Sequence, residues 1–382
     1  MRYFLIAGEA SGDLHAANLM QAIKVEDADA KFCFLGGDLM QAQGGKLITH
    51  YRDMAFMGFV AVVRNLKTIL QNIQTCKKAI SDFKPDLVIL IDYPSFNLRI
   101  AKYVKKTSTI PVYYYIPPKL WAWKEYRIKE IRQFIDQVFT IFPFETAFYA
   151  KHNYRVHYVG NPVVDAVAAR PLKNESQAEF CKKNQLTGKP IIALLAGSRK
   201  QEIRKCLPRM MNAAALFTDY QTVVAGAPGI ESDFYKTLLH GKDIPVLYNQ
   251  TYQLIQQARV AVVNSGTATL ETALIGTPQV VVYHVMFGRV AYIAKELFLK
   301  VTYISLVNIL SGHETVKELI AHLFTEENIC HEINKILTDA SYEQAMRNEY
   351  KRIATELGEP STAIKAARLI VALLNKTRNQ LP

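Results

Sequence analysis

The sequence predicts an α/β protein built from two Rossmann-like, doubly wound domains, and three features of it say so. Short apolar or β-branched runs alternate with helical stretches, a polar stretch interrupts the alternation midway, and the alternation then restarts. Continuous apolar runs mark strands covered on both faces. Strands separated by helices imply parallel pairing with right-handed crossovers.

Taken in order, strands are expected at Tyr3–Ala7, Phe32–Leu35, Leu87–Ile91, Val112–Ile116, Val138–Ile141 and Val156–Val159. The stretch from Arg170 to Pro190 is rich in Lys, Asn and Gln. Beyond it, Ile191–Ala196, Thr222–Ala225, Pro245–Tyr248, Val260–Val263 and Gln279–Tyr283 form a second series. The predicted domains are residues 1–168 and 169–359. A last helix over 360–376, capped by Ser361 or Thr362 and carrying Ile364, Leu369, Ile370, Leu373 and Leu374, is expected to complete the first. Two such halves are expected to face one another across a cleft, with ligands at the carboxyl ends of the strands.

The 382 residues carry 46 Lys and Arg against 34 Asp and Glu, a formal net charge of +12. That excess calls for an anionic partner: nucleic acid, anionic lipid or phosphate. No basic run interleaved with aromatics appears and the charge is dispersed, which disfavours nucleic acid. Met1 to Ala7 is too short an apolar run for a signal peptide or anchor. No apolar stretch reaches the ~18 residues that span a bilayer; even Val280 to Leu310 is broken by His284, Arg289, Lys295, Glu296 and Lys300. The cysteines, Cys33, Cys76, Cys181, Cys206 and Cys330, are scattered and never spaced C-x-x-C, which argues against a disulfide framework or zinc site and fits a reducing cytoplasm.

Four loops carry chemistry. Gly8-Glu9-Ala10-Ser11-Gly12-Asp13 follows the first strand and opens a helix, so its small residues leave room for a ligand beside free N–H groups. Its G-x-x-x-G spacing is not the dinucleotide fingerprint, and a tight turn with Asp13 as a cap explains it about equally well. Ile91-Asp92-Tyr93-Pro94 puts a carboxylate at the tip of a buried strand, where apolar neighbours raise its pKa and suit it to accept a hydroxyl proton. The alternative is an Asp that only caps the next helix. In the second half, Gly197-Ser198-Arg199 places an arginine where it can bind phosphate oxygens bidentately. Ser265-Gly266-Thr267, opening another helix, suits a diphosphate, with Glu271 one turn in for ribose hydroxyls. Two such loops in one half favour a nucleotide. Neither G-x-x-x-x-G-K-[ST] nor G-x-S-x-G occurs, so a P-loop ATPase or an α/β-hydrolase is disfavoured. Asp27-Ala28-Asp29 has the look of a metal-binding D-x-D but lies in a polar turn, and no metal is assigned to it. Trp121 and Trp123, the two tryptophans of the chain, follow the strand at Val112 and serve either to stack on a sugar or acyl chain or to anchor the core.

Together these segments resemble the lipid A disaccharide synthase family, bacterial inverting glycosyltransferases of the two-Rossmann GT-B fold. The likeness rests on GEASGD at Gly8–Asp13, MGF at Met57–Phe59, IDYPSFNLRI at Ile91–Ile100, WAW at Trp121–Trp123 and PFE at Pro143–Glu145. It continues through VGNP at Val159–Pro162, GSR at Gly197–Arg199, SGTATLE at Ser265–Glu271 and SLVNIL at Ser305–Leu310. The resemblance implies transfer of the sugar of UDP-2,3-diacylglucosamine to the 6-hydroxyl of 2,3-diacylglucosamine 1-phosphate, with inversion, giving a β-1,6 disaccharide and UDP without a cofactor. It implies Asp92, or failing it Glu9, as base, and Arg199 with Ser265 to Thr267 at the departing diphosphate. Gly8, Ser11, Gly12, Asp13, Asn97, Trp123, Gly197, Ser198, Gly266, Glu271 and Asn308 are the further substrate-site residues it implies.

The chain departs from the family pattern where Ser95 replaces a second Asp, Ala196 a Pro, Asn161 a His and Val307 a Pro. Lipid substrates give the stretch from Val60 to Leu70 a second meaning: Val62, Val63, Leu66, Ile69 and Leu70, flanked by Arg64 and Lys67, could dip into the anionic cytoplasmic leaflet of the inner membrane, although packing on the sheet would produce the same pattern. A homodimer is left open. The rivals are another two-domain UDP-sugar enzyme, such as a muramyl-type N-acetylglucosaminyl transferase or a UDP-sugar 2-epimerase, and a non-catalytic basic protein that binds nucleic acid or membrane.

Overall fold

The structure is a computed structural model that describes residues 1–54, 66–285 and 302–379. The chain divides into two compact units: Met1–Pro162 together with the segment from Glu359 onward, and Val163–Gly358.

In the first unit, β1 (Arg2–Ala7), β2 (Lys31–Gly36), β3 (Lys46–His50), β4 (Leu87–Ile91), β5 (Val112–Tyr115), β6 (Gln137–Thr140) and β7 (His157–Tyr158) form one seven-stranded sheet in the order β3-β2-β1-β4-β5-β6-β7. Every pairing is parallel. Side chains of a strand alternate between faces, so β1 buries Tyr3, Leu5 and Ala7 on one side and Phe4 and Ile6 on the other. The first face is covered by the helices Ala10–Glu26 and Thr362–Arg378, the second by Leu66–Phe83, Pro94–Thr107 and Ile128–Phe134. The closing helix thus belongs to the first unit, as its apolar stripe requires. Asp27 of the D-x-D accepts a hydrogen bond from the Tyr3 hydroxyl at 2.9 Å.

The second unit repeats the plan with β8 (Ile191–Leu195), β9 (Gln221–Gly226), β10 (Val246–Tyr248), β11 (Ala258–Asn264), β12 (Gln279–Tyr283) and β13 (Glu318–Ile320) in the order β10-β9-β8-β11-β12-β13, again all parallel. The strands β3 and β13 were not expected. Residues 47–50 are half-buried and Lys46 exposed at a sheet edge, with Thr49 and His50 as further polar members, and β13 is three residues long, so neither presents a continuous apolar run.

In each sheet the strand order reverses once, between β1 and β4 and between β8 and β11. There the crossovers leave in opposite directions and the loops at the strand tips part, which is where open α/β sheets hold ligands. All four loops read from the sequence as chemical, and the tryptophan segment beside them, follow strands at or next to these two points.

Candidate active site

At the first reversal β1 runs into Gly8, and only glycine fits there: a Cβ would overlap the ring of Tyr93, whose hydroxyl donates to the Met54 carbonyl at 2.8 Å. Glu9 is half-buried at the N-cap of the helix Ala10–Glu26, Ser11 is exposed, and Gly12 is buried against Ala7. Asp13 has a structural task. It is buried, and its Oδ1 accepts from the N–H groups of Gly37 at 2.8 Å and Met40 at 3.1 Å, while Oδ2 accepts from Leu39 at 3.1 Å. It therefore caps the neighbouring helix Asp38–Ala42 rather than its own.

Asp92 follows the wholly buried β4, and both it and Tyr93 adopt left-handed backbone conformations at φ 45° and 49°. Each such residue costs about 1–3 kcal/mol, and the surroundings must hold it. They do so through the Asp92 carbonyl, which accepts from Asn97 Nδ2 at 2.6 Å and from the Tyr114 hydroxyl at 2.7 Å. Asn97 Nδ2 also donates to Ile91 at 3.2 Å, and the residue is fully buried, so its amide nitrogen holds the turn. The Asp92 side chain is half-buried. Burial pushes its carboxyl up, partly offset by the Tyr93 N–H and the charge of Lys119. A carboxylate with a raised pKa at a strand tip is a stronger proton acceptor than an ordinary aspartate.

The tryptophans have separate roles. Trp121 donates from Nε1 to Glu145 Oε1 at 3.1 Å and meets the Phe144 ring edge-on at 4.9 Å between centroids. Trp123 is 52% exposed, with Lys124 Nζ 4.2 Å above its ring. Glu145 is buried, accepts from the N–H groups of Ile141 and Phe142 at 3.2 and 3.0 Å, and is pushed up to about 7 by burial. The sequence offered it only as part of PFE, without a role. The signal was an acid at the third position of a helix beginning with Pro, the place of a capping-box glutamate. Asn161, buried, donates to the Ile141 carbonyl at 3.0 Å and holds the same loop.

At the second reversal, wholly within the second unit, lies a cavity of about 680 Å³. Gly197, Ser198 and Arg199 after β8 and Ser265, Gly266, Thr267 and Glu271 after β11 all line it, so these seven expected residues come together. Gly197 sits at φ 113°, and a Cβ there would stand 2.6 Å from Glu202 Oε2. Glu202, which the sequence did not single out, organises the loop: Oε2 accepts from the Ser198 N–H at 3.2 Å and Oε1 from Arg199 Nη1 at 3.3 Å. The Arg199 side chain remains 64% exposed. Ser265 Oγ donates to the Ile304 carbonyl at 3.3 Å, and a Cβ on Gly266 would meet nothing within 4 Å, which leaves the cavity open beside the start of the helix Thr267–Ile275. Glu271 accepts from the Tyr252 hydroxyl at 2.8 Å and is raised by burial. The buried amide of Gln253, also unremarked in the sequence, lines the same space.

Asn308 is not on that wall. It is fully buried, donates to the Val316 carbonyl at 2.8 Å and Glu318 Oε1 at 3.0 Å, and accepts from the N–H groups of Thr315 and Val316 at 2.8 and 2.9 Å. Both ends of its amide tie the turn after the helix Leu306–Ser311. Of the expected membrane positions, Val62 and Val63 lie outside the described residues, as does MGF at 57–59. Leu66 opens the helix Leu66–Phe83, Ile69 packs on the core and Leu70 is 51% exposed.

The family described as lipid-A-disaccharide synthetase matches residues 3–372. The lipid-A-disaccharide synthase of Syntrophus aciditrophicus is 37% identical over 380 residues, 98% of this chain and 98% of the relative. That of Myxococcus xanthus is 36% identical over 379 residues, covering 98% and 97%. Similar folds occur in UDP-GlcNAc 2-epimerase from Neisseria meningitidis bound to UDP-GlcNAc (TM-score 0.65, 16% identity, 98% of this chain and 100% of that one) and in the calicheamicin glycosyltransferase CalG4 (TM-score 0.60, 14% identity, 100% of each).

Proposed function

The chain belongs to the lipid-A-disaccharide synthase family, glycosyltransferases of lipid A biosynthesis, and from that premise we propose the reaction and the residues that carry it. The donor is UDP-2,3-diacylglucosamine and the acceptor 2,3-diacylglucosamine 1-phosphate; the products are the β-1,6 disaccharide 1-phosphate and UDP. The cavity at the β8/β11 reversal carries this assignment, because the Arg199 guanidinium, the hydroxyls of Ser198, Ser265 and Thr267, the N–H groups of a helix start and the Glu271 carboxylate converge in a space of about 680 Å³. Arg199 and Ser265 to Thr267 take the diphosphate, and Glu271 accepts from the ribose hydroxyls.

Asp92 removes the proton of the acceptor 6-hydroxyl. The oxygen attacks C1 of the donor sugar, the bond from C1 to the diphosphate breaks, and the configuration at C1 inverts. Charge that develops on the departing UDP is met by Arg199 and by the N–H groups at the start of the helix Thr267–Ile275, which are in place before the reaction begins. Glu9 is the second candidate for the base, and Trp123 packs on the acceptor. Release of UDP in the presence of both acylated sugars tests these assignments: Asp92→Ala and Arg199→Ala should each fall by about a hundredfold or more while remaining folded. Turnover like that of the wild type in Asp92→Ala removes Asp92 as the base.

The protein works, in this proposal, at the anionic cytoplasmic face of the inner membrane, with the apolar positions Val62, Val63, Leu66, Ile69 and Leu70 dipping into the leaflet beside Arg64 and Lys67. Flotation with anionic vesicles should be weakened by Val63→Glu with Leu70→Glu; unchanged flotation of the folded double variant sinks this part.

A further inference from the structure

The turn that presents Asp92 has a cation beside it that no motif singled out. Arg127 ends the short helix Glu125–Arg127, immediately before the helix Ile128–Phe134. Its Nη2 donates to Ser95 Oγ at 3.4 Å, in the first turn of the helix Pro94–Thr107 and three residues from Asp92. Its charge also bears on the Tyr114 hydroxyl, the group that donates to the Asp92 carbonyl at 2.7 Å. The guanidinium therefore stands at the same strand tip as the proposed base.

Its neighbours leave that charge uncancelled. Among the described residues no carboxylate lies within ion-pair distance of Arg127, whereas Arg52, Arg199, Arg259, Arg347 and Arg352 each have one. Two lysines of the same segment also have no ion pair among the described residues, but Lys124 lies over the Trp123 ring and Lys119, whose charge favours the Asp92 carboxylate, lies 6.0 Å from the Phe142 ring centroid; neither has the planar fork of a guanidinium. A half-buried guanidinium with one weak, neutral partner has most of its donors available, and its planar fork matches the oxygens of a phosphate.

We propose that Arg127, with Ser95 Oγ beside it, binds the phosphate monoester of the acceptor sugar. This rests on the glycosyl transfer proposed above, in which the acceptor brings its 6-hydroxyl to Asp92. The phosphate is carried on the same pyranose ring as the 6-hydroxyl, and Arg127, hydrogen-bonded to Ser95 three residues after Asp92, is the arginine beside that turn whose fork can take two of its oxygens. Binding of the dianion would orient the ring and set the 6-hydroxyl against the base. A phosphodiester of the membrane leaflet is the other possible source of the same chemistry.

Steady-state kinetics in neutral-detergent micelles separate the sources. Wild type, Arg127→Ala and Arg127→Lys are compared on 2,3-diacylglucosamine 1-phosphate and on the same diacylglucosamine lacking the phosphate. Arg127→Ala should raise KM for the phosphorylated acceptor about tenfold or more, leave KM for the donor and for the phosphate-free acceptor unchanged, and be partly rescued in Arg127→Lys. An equal loss on both acceptors, or an effect that appears only when anionic vesicles replace the micelles, overturns the assignment. Failure of the wild type to release UDP with either acceptor would instead overturn the glycosyl transfer on which it rests.

Discussion

Asp92 and Glu145 show how one functional group, a carboxylate, takes two roles under burial. Asp92 is half-buried and its carboxylate accepts from the Tyr93 N–H, so it can still exchange a proton with a substrate hydroxyl. Glu145 is fully enclosed and held by three donors, Trp121 Nε1 and the N–H groups of Ile141 and Phe142, all of which favour the carboxylate while burial opposes it. Because its pKa in the folded protein is raised to about 7, above the unfolded value, the stability linked to its proton is fully present at low pH and is lost as pH rises through about 7. Glu145→Gln removes that dependence: melting temperatures measured from about pH 5 to about pH 8 should shift in the variant's favour, relative to wild type, as pH rises. Parallel curves would contradict it. At this scale the strand-tip and helix-start patterns singled out Asp92, Arg199 and Glu271 as candidates; Arg199 and Glu271 line one cavity and Asp92 follows β4. The sequence could not tell that Asp13, Asn97 Nδ2 and Asn308 bond groups of the fold itself, because a polar side chain in a loop looks the same in sequence whether it meets a ligand or a neighbouring group.

The elements that carry the chemistry are strand–loop–helix joints, and their geometry depends on close approach. Gly8 is the sharpest case: Tyr93, on the adjacent joint, fills the volume a Cβ would need, so the tips of β1 and β4 interlock. Gly8→Ala must move that ring and with it the left-handed turn at Asp92, costing about 1–3 kcal/mol of stability and lowering kcat more than the melting temperature alone would suggest. A variant with the wild-type kcat would show that the two tips move independently of the chemistry. The strands buried on both faces were legible because a parallel sheet needs unbroken apolar runs. The edge strand β3 and the three-residue β13 escaped because pairing with one neighbour, not composition, makes them strands.

For the molecule as a whole, the proposed docking on an anionic leaflet takes its support from the net charge of +12. Among the described residues no helix is long and apolar enough to cross a membrane, and Leu70 is an exposed apolar position on the helix Leu66–Phe83. Both units follow one plan, a parallel sheet with a single reversal of strand order, and that repetition was visible in the restart of the strand pattern after the polar stretch 170–190. The fold alone does not fix the reaction, because UDP-GlcNAc 2-epimerase from Neisseria meningitidis shares it. The decisive measurement is UDP release by the purified protein with UDP-2,3-diacylglucosamine alone and with 2,3-diacylglucosamine 1-phosphate added. Release only when both are present, with a disaccharide 1-phosphate formed in equal amount, is the predicted result; turnover of a UDP-sugar by itself, or no UDP with both substrates, would contradict it.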